Sequence, residues 1–290
     1  SGLTEISDYA FYNCPSLENL AIPDSVTSIG NYAFRWCKEL QSIVIPDSIT
    51  SIGSYAFYEC TNLASVTIGN GVTSIGLEAF KGCANLSSIT IKSSELSVSY
   101  RAFSECENLK QVNYTGTIDQ WAQFSFTEEI SNPLYYAKDL YINNVLQEII
   151  VVDAPISNYA FYNCKSLKHA IMGYNATSIG INVFGDDSSV KLYLEGSKDK
   201  MPSGLEGSYS ITSYGAILYV DNYNTMYILN KEEYTARVVK CSCDSLRELD
   251  LDTVNDGRDS YNITHIEPNV FTNQYRLIKV TVGADVSEIG

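Results

Sequence analysis

The chain has 290 residues, 45% hydrophobic and 18% charged, which suits one large domain or two ordinary ones and excludes a disordered chain. Nineteen basic residues stand against 34 acidic ones, for a formal net charge of -15. A field of that sign repels nucleic acid and anionic headgroups, and no run of Lys or Arg offsets it. No apolar run approaches the ~20 residues of a membrane span, so direct membrane insertion is not expected either.

The opening "LTEISDYAF" already lies inside a phrase that returns down the chain. It reappears as "TSIGNYAFRWC" (Thr27 to Cys37), "TSIGSYAFYEC" (Thr50 to Cys60) and "TSIGLEAFKGC" (Thr73 to Cys83). Phe11, Phe34, Phe57, Phe80 and Phe103 recur every 23 residues; Cys14, Cys37, Cys60, Cys83 and Cys106 keep the same step, as do Leu17, Leu40, Leu63, Leu86 and Leu109. Within one repeat, Leu40, Ile43 and Ile45 predict a short strand, and Pro46-Asp47 predicts a turn. "SITSIG" predicts a second extended piece ended by Gly53, and "SYAFYEC" about one helical turn with Ala56, Phe57 and Cys60 inward. One such coil cannot bury its apolar face alone. Stacking Phe on Phe and Leu on Leu makes a continuous core, so a solenoid is expected.

After Tyr114 the phrase lapses. "TIDQWAQ" predicts a short helix with Thr117 and Gln120 as a capping box and Ile118, Trp121 and Ala122 on one side. "LYINNVL" predicts a hairpin about Asn143-Asn144. The whole insertion, about 115–150, is read as an irregular coil that continues the core. The phrase resumes from Ile156 to Met172 and weakly through Phe184. Residues 196–240 read as a Gly/Ser/Pro-rich loop and a β-hairpin around Asp221 to Asn224, forming a joint. The pattern returns from Cys243 to Leu251 and from His265 to Gly283, with Ile266 and Ile289 again 23 apart. The expected organisation is a repeat block over 1–195, the joint over 196–240, and a second block over 241–290 truncated at its C-terminal end.

The unit "L..I.IP.SVTSIG..AF..C" resembles the BspA-like class of bacterial leucine-rich repeats. The resemblance implies a mixed α/β repeat solenoid: a leucine-rich-repeat-like right-handed coil stack of short strands and one-turn helices, interrupted by irregular insertions. It also implies a secreted or cell-surface bacterial protein used for adhesion, with host or microbial surface proteins as partners. A chain that starts and stops mid-coil is expected to belong to a longer protein, so the missing signal segment does not bear on location.

Chemistry is sparse. The evenly spaced cysteines suit a reduced ladder in the core better than disulfides or zinc, whose ligands need close-set pairs. Cys243 matches a repeat position, which leaves Cys241 as a spare thiol. His169, placed outward beside Lys168, and His265 fall in different blocks and support no catalytic triad or dyad. Asp186-Asp187 and "DLDTVNDGRD" offer carboxylates, but Val254 stands where a calcium loop requires an oxygen ligand, so a solvated loop is the better reading. No enzyme activity, cofactor or metal is expected.

Two faces are candidates for binding. On the first strand, Asn19, Ser42, Ser65 and Ser88 form one outward column, and Ala21, Val44, Thr67 and Thr90 the next. Such a flat hydroxyl sheet either accepts a partner closely or merely confers solubility. On the helical side, Tyr9, Tyr32 and Tyr55 share one position, Tyr12, Arg35 and Tyr58 another, and Trp36 adds an indole. That is hot-spot composition; the plainer alternative is rings that fill grooves between coils while their hydroxyls reach water. The expected function is a protein-interaction or adhesion module, with a structural stalk or a glycan-binding module as alternatives.

Overall fold

The computed structural model describes every residue except 1, 186–188, 197–201, 206–210, 214, 221–224, 242–247, 273 and 275–276. The chain divides into two compact units: Ser1–Ala170 with Asn175–Val190 and Pro202–Ser208, and Ile171–Tyr174 with Lys191–Met201 and Tyr209–Gly290.

In the first unit each repeat makes one coil with two extended stretches. One parallel sheet runs Glu5–Ile6, Ser28–Ile29, Ser51–Ile52, Ser74–Ile75, Ser97–Val98 and Ser125–Phe126. The other runs Ser42–Val44, Ser65–Ile68, Ser88–Ile91, Gln111–Tyr114 and Leu140–Ile142, ending in the antiparallel Val145–Leu146. Neighbours sit one repeat apart, Ile43 beside Val66 and Val66 beside Ile89, so the inward columns stay apolar. Between the two stretches the Ile49 N–H donates to Pro46 O at 3.2 Å, the turn that proline and aspartate predict.

The third segment of the coil is not the expected helical turn. Tyr55 and Glu59 have φ of 59° and 52°, and the matching residues Tyr32 and Trp36 have 58° and 66°. A helix cannot contain left-handed residues, and at non-glycine positions each costs roughly 1–2 kcal/mol. What the segment gains is a third intercoil ladder. Tyr32, Phe34 and Trp36 donate their N–H groups to Ser54 O (2.9 Å), Ala56 O (2.7 Å) and Tyr58 O (2.9 Å) of the next coil. Tyr58 and Cys60 close local turns onto Tyr55 O and Phe57 O at 3.2 and 3.3 Å. The solenoid is therefore built of strands and turns, and the α part of the α/β expectation is small.

The core follows the columns. Phe34, Phe57, Phe80 and Phe103 are fully buried and stack at ring-centroid distances of 5.0, 5.1 and 5.3 Å. The cysteines line the same interior as thiols, without disulfides between rungs. Cys60 Sγ donates to Phe34 O at 3.1 Å, and Cys83 and Cys106 repeat the contact with Phe57 O and Phe80 O at 3.2 Å.

The insertion continues this stack. Ser125–Phe126 pairs with Ser97–Val98, and Leu140–Ile142 pairs with Gln111–Tyr114. Its helix, Ile118–Ala122, carries the predicted capping box of Thr117 and Gln120 and buries Trp121 and Ala122. Trp121 Nε1 donates to Ala160 O at 2.8 Å, tying the insertion to the resumed repeat. Asn143 and Asn144, at φ 50° and 66°, form the hairpin turn. Beyond it, Ile156 bridges Ile179 and Phe161 stacks on Phe184 at 6.1 Å.

In the second unit Ala216–Val220, Thr225–Asn230 and Thr235–Cys241 form an antiparallel meander that adds Ser260–Ile266 in parallel. Ile266 lies beside Ile289, so the repeat step governs this end as well. Thr253–Asn255 pairs antiparallel with Ser260–Ile266, so only Asp256 to Asp259 of the carboxylate-rich segment form a loop, while Asp250 and Thr253–Asn255 lie in strands. There Asp256 Oδ1 accepts the N–H groups of Arg258 and Asp259 at 2.8 and 2.9 Å, an ordinary solvated turn.

Two outcomes are expected. A Cβ on Gly53 would lie 2.5 Å from Gly30 C and 2.6 Å from Asn31 N, backbone atoms of the preceding coil. Gly53→Ala should therefore lower the unfolding free energy by at least about 3 kcal/mol in urea titration. For the thiols, burial raises Cys37 to about 11 and Cys106 to about 12 from an ordinary 9.0, and shifts Cys60 and Cys83 upward too. The folded state thus holds these protons more tightly than the unfolded state. The stability this confers is complete below pH 9 and disappears as pH rises through the folded values. At pH 8, iodoacetamide and mass spectrometry should find the four buried rungs unlabelled and the half-buried Cys14 labelled. Cys83→Ala should flatten the loss of stability above pH 9.

Candidate functional site

Coils one to three carry the aromatic face. Because each Tyr position sits at the same left-handed residue, the rings fall directly over one another: Tyr9 on Tyr32 at 4.8 Å and Tyr32 on Tyr55 at 4.9 Å, within 7° of parallel. The neighbouring column is mixed. Arg35 lies with its guanidinium 4.4 Å from the Trp36 ring, 4.5 Å from Tyr58, 5.5 Å from Tyr32 and 5.7 Å from Tyr55. Tyr12 tilts against Trp36 at 5.3 Å, and Lys81 approaches the Tyr58 ring at 5.7 Å. All seven candidate residues of this face are thus brought together. Tyr9 and Tyr12 are exposed; Tyr32, Arg35, Trp36, Tyr55 and Tyr58 are half-buried.

The plainer alternative, rings that fill grooves between coils while their hydroxyls reach water, describes the same half-buried placement. The hydroxyls of Tyr9, Tyr12, Tyr32 and Tyr55 have no hydrogen bond to any described residue, and neither has the Trp36 indole N–H. Burial raises the Tyr58 phenol pKa, so at neutral pH it is an uncharged hydroxyl. Past the third coil the column changes chemistry. Glu78 and Arg101 occupy the tyrosine position, and Lys81 is paired to Glu78 and Glu105 at 3.2 and 3.6 Å. The aromatic face therefore has a definite edge, and Lys81, the next member of the Tyr12, Arg35 and Tyr58 column, joins it there.

The strand face is assembled in register, Ser42 beside Ser65 beside Ser88 and Val44 beside Thr67 beside Thr90. Ser42, Ser65 and Val44 are exposed, while Thr67, Ser88 and Thr90 are half-buried. The first member departs from expectation. Asn19 is exposed but belongs to no strand, because the segment from Asn19 to Ile22 does not pair with Ser42–Val44. An open groove of about 580 Å³ lies there, lined by Leu20, Ile22, Val44 and Pro46 among others.

Two further expectations are corrected. His169 is 3% exposed, not outward, because the strand His169–Met172 is buried at all four positions and does not alternate. Cys241 is disulfide-bonded, so it is no spare thiol. Cys243 and Asp186-Asp187 lie outside the described residues. In the second unit the structure adds a polar cluster that sequence separation hid. Buried Glu267 takes Lys191 Nζ at 2.8 Å and Arg237 Nη1 at 2.5 Å. Burial raises this carboxyl's pKa, but the two hydrogen bonds outweigh it and the net shift is downward. Both cations are thereby held in ion pairs to a single carboxylate. Among the described residues no group of three or more His, Cys, Asp or Glu is placed to hold a metal ion, and no helix is long and apolar enough to cross a membrane.

No curated protein matches the sequence. Among solved structures it is similar to a leucine-rich repeat protein from Bacteroides ovatus, at 19% identity and TM-score 0.40, over 99% of this chain and 66% of that one. It is also similar to the leucine rich repeat protein of T. pallidum, at 22% identity and TM-score 0.37, over 63% and 72% of the two chains. A leucine rich cell surface protein from Faecalibacterium prausnitzii matches at 19% identity and TM-score 0.32, over 100% and 69%. The chain spans slightly under two thirds of the length of the B. ovatus protein. The repeat family described as BspA type leucine rich repeat region matches in six copies over residues 4–132 and 139–205, more than half of the sequence. With that unit repeated in sequence and stacked in structure, the chain belongs to the BspA type leucine-rich repeat family.

Proposed function

We propose that this chain is a non-catalytic protein-binding module of a bacterial cell-surface or secreted protein, and that it engages its partner through the aromatic face of coils one to three. The observation that carries this reading is which part of each ring faces out. Tyr9 and Tyr55 stack on the two faces of Tyr32, and Arg35 lies over one face each of Trp36 and Tyr58. Ring edges, hydroxyls and an indole N–H remain for a partner. Sugar rings are held by open aromatic faces, so this geometry favours a polypeptide, whose carbonyls and side chains accept from edges and hydroxyls. A half-buried rigid ring also loses little conformational entropy on binding.

Family membership supports the surface or secreted location, and so does the disulfide at Cys241, since such bonds persist in oxidising compartments. The test is binding to an immobilised panel of host matrix proteins, mucins and glycans, with a Tyr32→Ala/Trp36→Ala/Tyr55→Ala variant alongside. We expect a saturable protein ligand and at least roughly 30-fold weaker binding by the variant, because truncating a hot-spot aromatic costs about 2 kcal/mol or more. Binding that the variant retains would move the site to the Ser42, Ser65, Thr67, Ser88 and Thr90 face. Silence across the panel, with a rod-like scattering profile, would leave a stalk.

A further inference from the structure

We infer that Arg35 makes the aromatic face a reader of carboxylates, and that the partner is a polypeptide presenting an Asp or Glu side chain to it. This inference rests on the binding role proposed above. Its first support is an absence of neutralisation where neutralisation would be easy. The chain has 34 acidic residues against 19 basic ones, yet no carboxylate pairs with Arg35 among the described residues. Two coils further on in the same column, Lys81 is held by two carboxylates, at 3.2 and 3.6 Å.

The second support is the way the guanidinium is held. Trp36 at 4.4 Å and Tyr58 at 4.5 Å cover it through π contacts, with Tyr32 and Tyr55 within 5.7 Å. Cation–π contact takes up the faces of the planar group and leaves its in-plane N–H edge for hydrogen bonds. Arg35 Nε is buried with no hydrogen-bond partner, so a ligand meets the guanidinium at its terminal Nη groups. The remaining groups of the face are hydroxyls and an indole N–H, all able to donate. A carboxylate is the group that satisfies a guanidinium edge in bidentate fashion while accepting from flanking hydroxyls. Aromatic walls reduce solvent screening at that contact and strengthen it.

The chain's charge of -15 opposes an acidic partner at long range. At physiological ionic strength that repulsion is screened beyond about 8 Å, so the short contact decides recognition. An acidic polysaccharide would offer the same carboxylate. The covered ring faces disfavour it, and the test separates the two sources.

The test selects phage-displayed random 12-residue peptides on the 290-residue chain and measures the best binders by calorimetry. Each is compared with its Glu→Gln or Asp→Asn version against wild type, Arg35→Met, Arg35→Lys and Tyr32→Ala/Tyr55→Ala. We expect selected peptides to share an acidic position. Losing that acid or Arg35 should each weaken binding tenfold or more, the two losses should not add, and Arg35→Lys should recover only part. Thermal melts by circular dichroism establish that the variants fold; Arg35→Met removes a donor that has no partner. Peptides that bind Arg35→Met as tightly as wild type but fail on Tyr32→Ala/Tyr55→Ala would overturn the carboxylate assignment and leave the face as a binding surface. A selection that yields no peptide dependent on either group would overturn both. Arg35-dependent binding of polygalacturonate with no dependent peptide would overturn the polypeptide as partner.

Discussion

Backbone hydrogen bonding from one coil to the next is the constraint on which the rest of the first unit depends. Two parallel sheets and one ladder of turns each join neighbouring coils, so adjacent backbones must approach to strand spacing along the whole repeat. That closeness requires glycine at Gly53, where any side chain would overlap the coil before it. It also holds Tyr32, Tyr55 and their equivalents in left-handed conformation, a local strain balanced by bonds that only the stacked state can form. The Phe ladder at 5.0–5.3 Å and the Tyr ladder at 4.8–4.9 Å then have the pitch of the backbone, not a spacing of their own.

The same constraint shapes the candidate site. A residue type repeated in one column becomes a row of identical groups, and a change in the column becomes a boundary. Three tyrosines followed by Glu78 and Arg101 therefore give an aromatic face with a charged border. Arg35 is the exception inside the face. It interrupts a column of Tyr12 and Tyr58, and the rings around it serve as walls while its own charge goes unmatched. In the second unit the logic is reversed. Glu267 pairs with both Lys191 and Arg237 within the fold, which makes that cluster a device for holding strands together.

The insertion shows how much irregularity the stack tolerates. Its helix and hairpin bear no resemblance to the repeat, yet Ser125–Phe126 and Leu140–Ile142 enter the two sheets in turn. Sheet pairing asks only for extended backbone in the right place and an apolar side chain facing in. Trp121 supplies the bulk that a regular coil provides through Phe and Leu.

Periodicity alone carried much of this protein. A step of 23 residues, with β-branched residues, Pro46 and Gly53 in place, is enough to require stacked coils, two strand columns, a buried Phe ladder and a reduced Cys ladder, because one coil cannot bury its own apolar face. The capping box at Thr117 and the Asn143-Asn144 turn were legible for the same reason: both are local. Tertiary structure decided what local chemistry cannot specify. "SYAFYEC" has ordinary helix-forming composition, and only the amides' preference for the next coil turns it into left-handed turns. His169 looked outward beside Lys168, and only covering on both faces of its strand buries it. The aromatic side chains of coils one to three could be named from their columns. That the tyrosines stack on one another while Arg35 lies unpaired among them is a product of pitch and packing between coils, a distance that no single repeat contains.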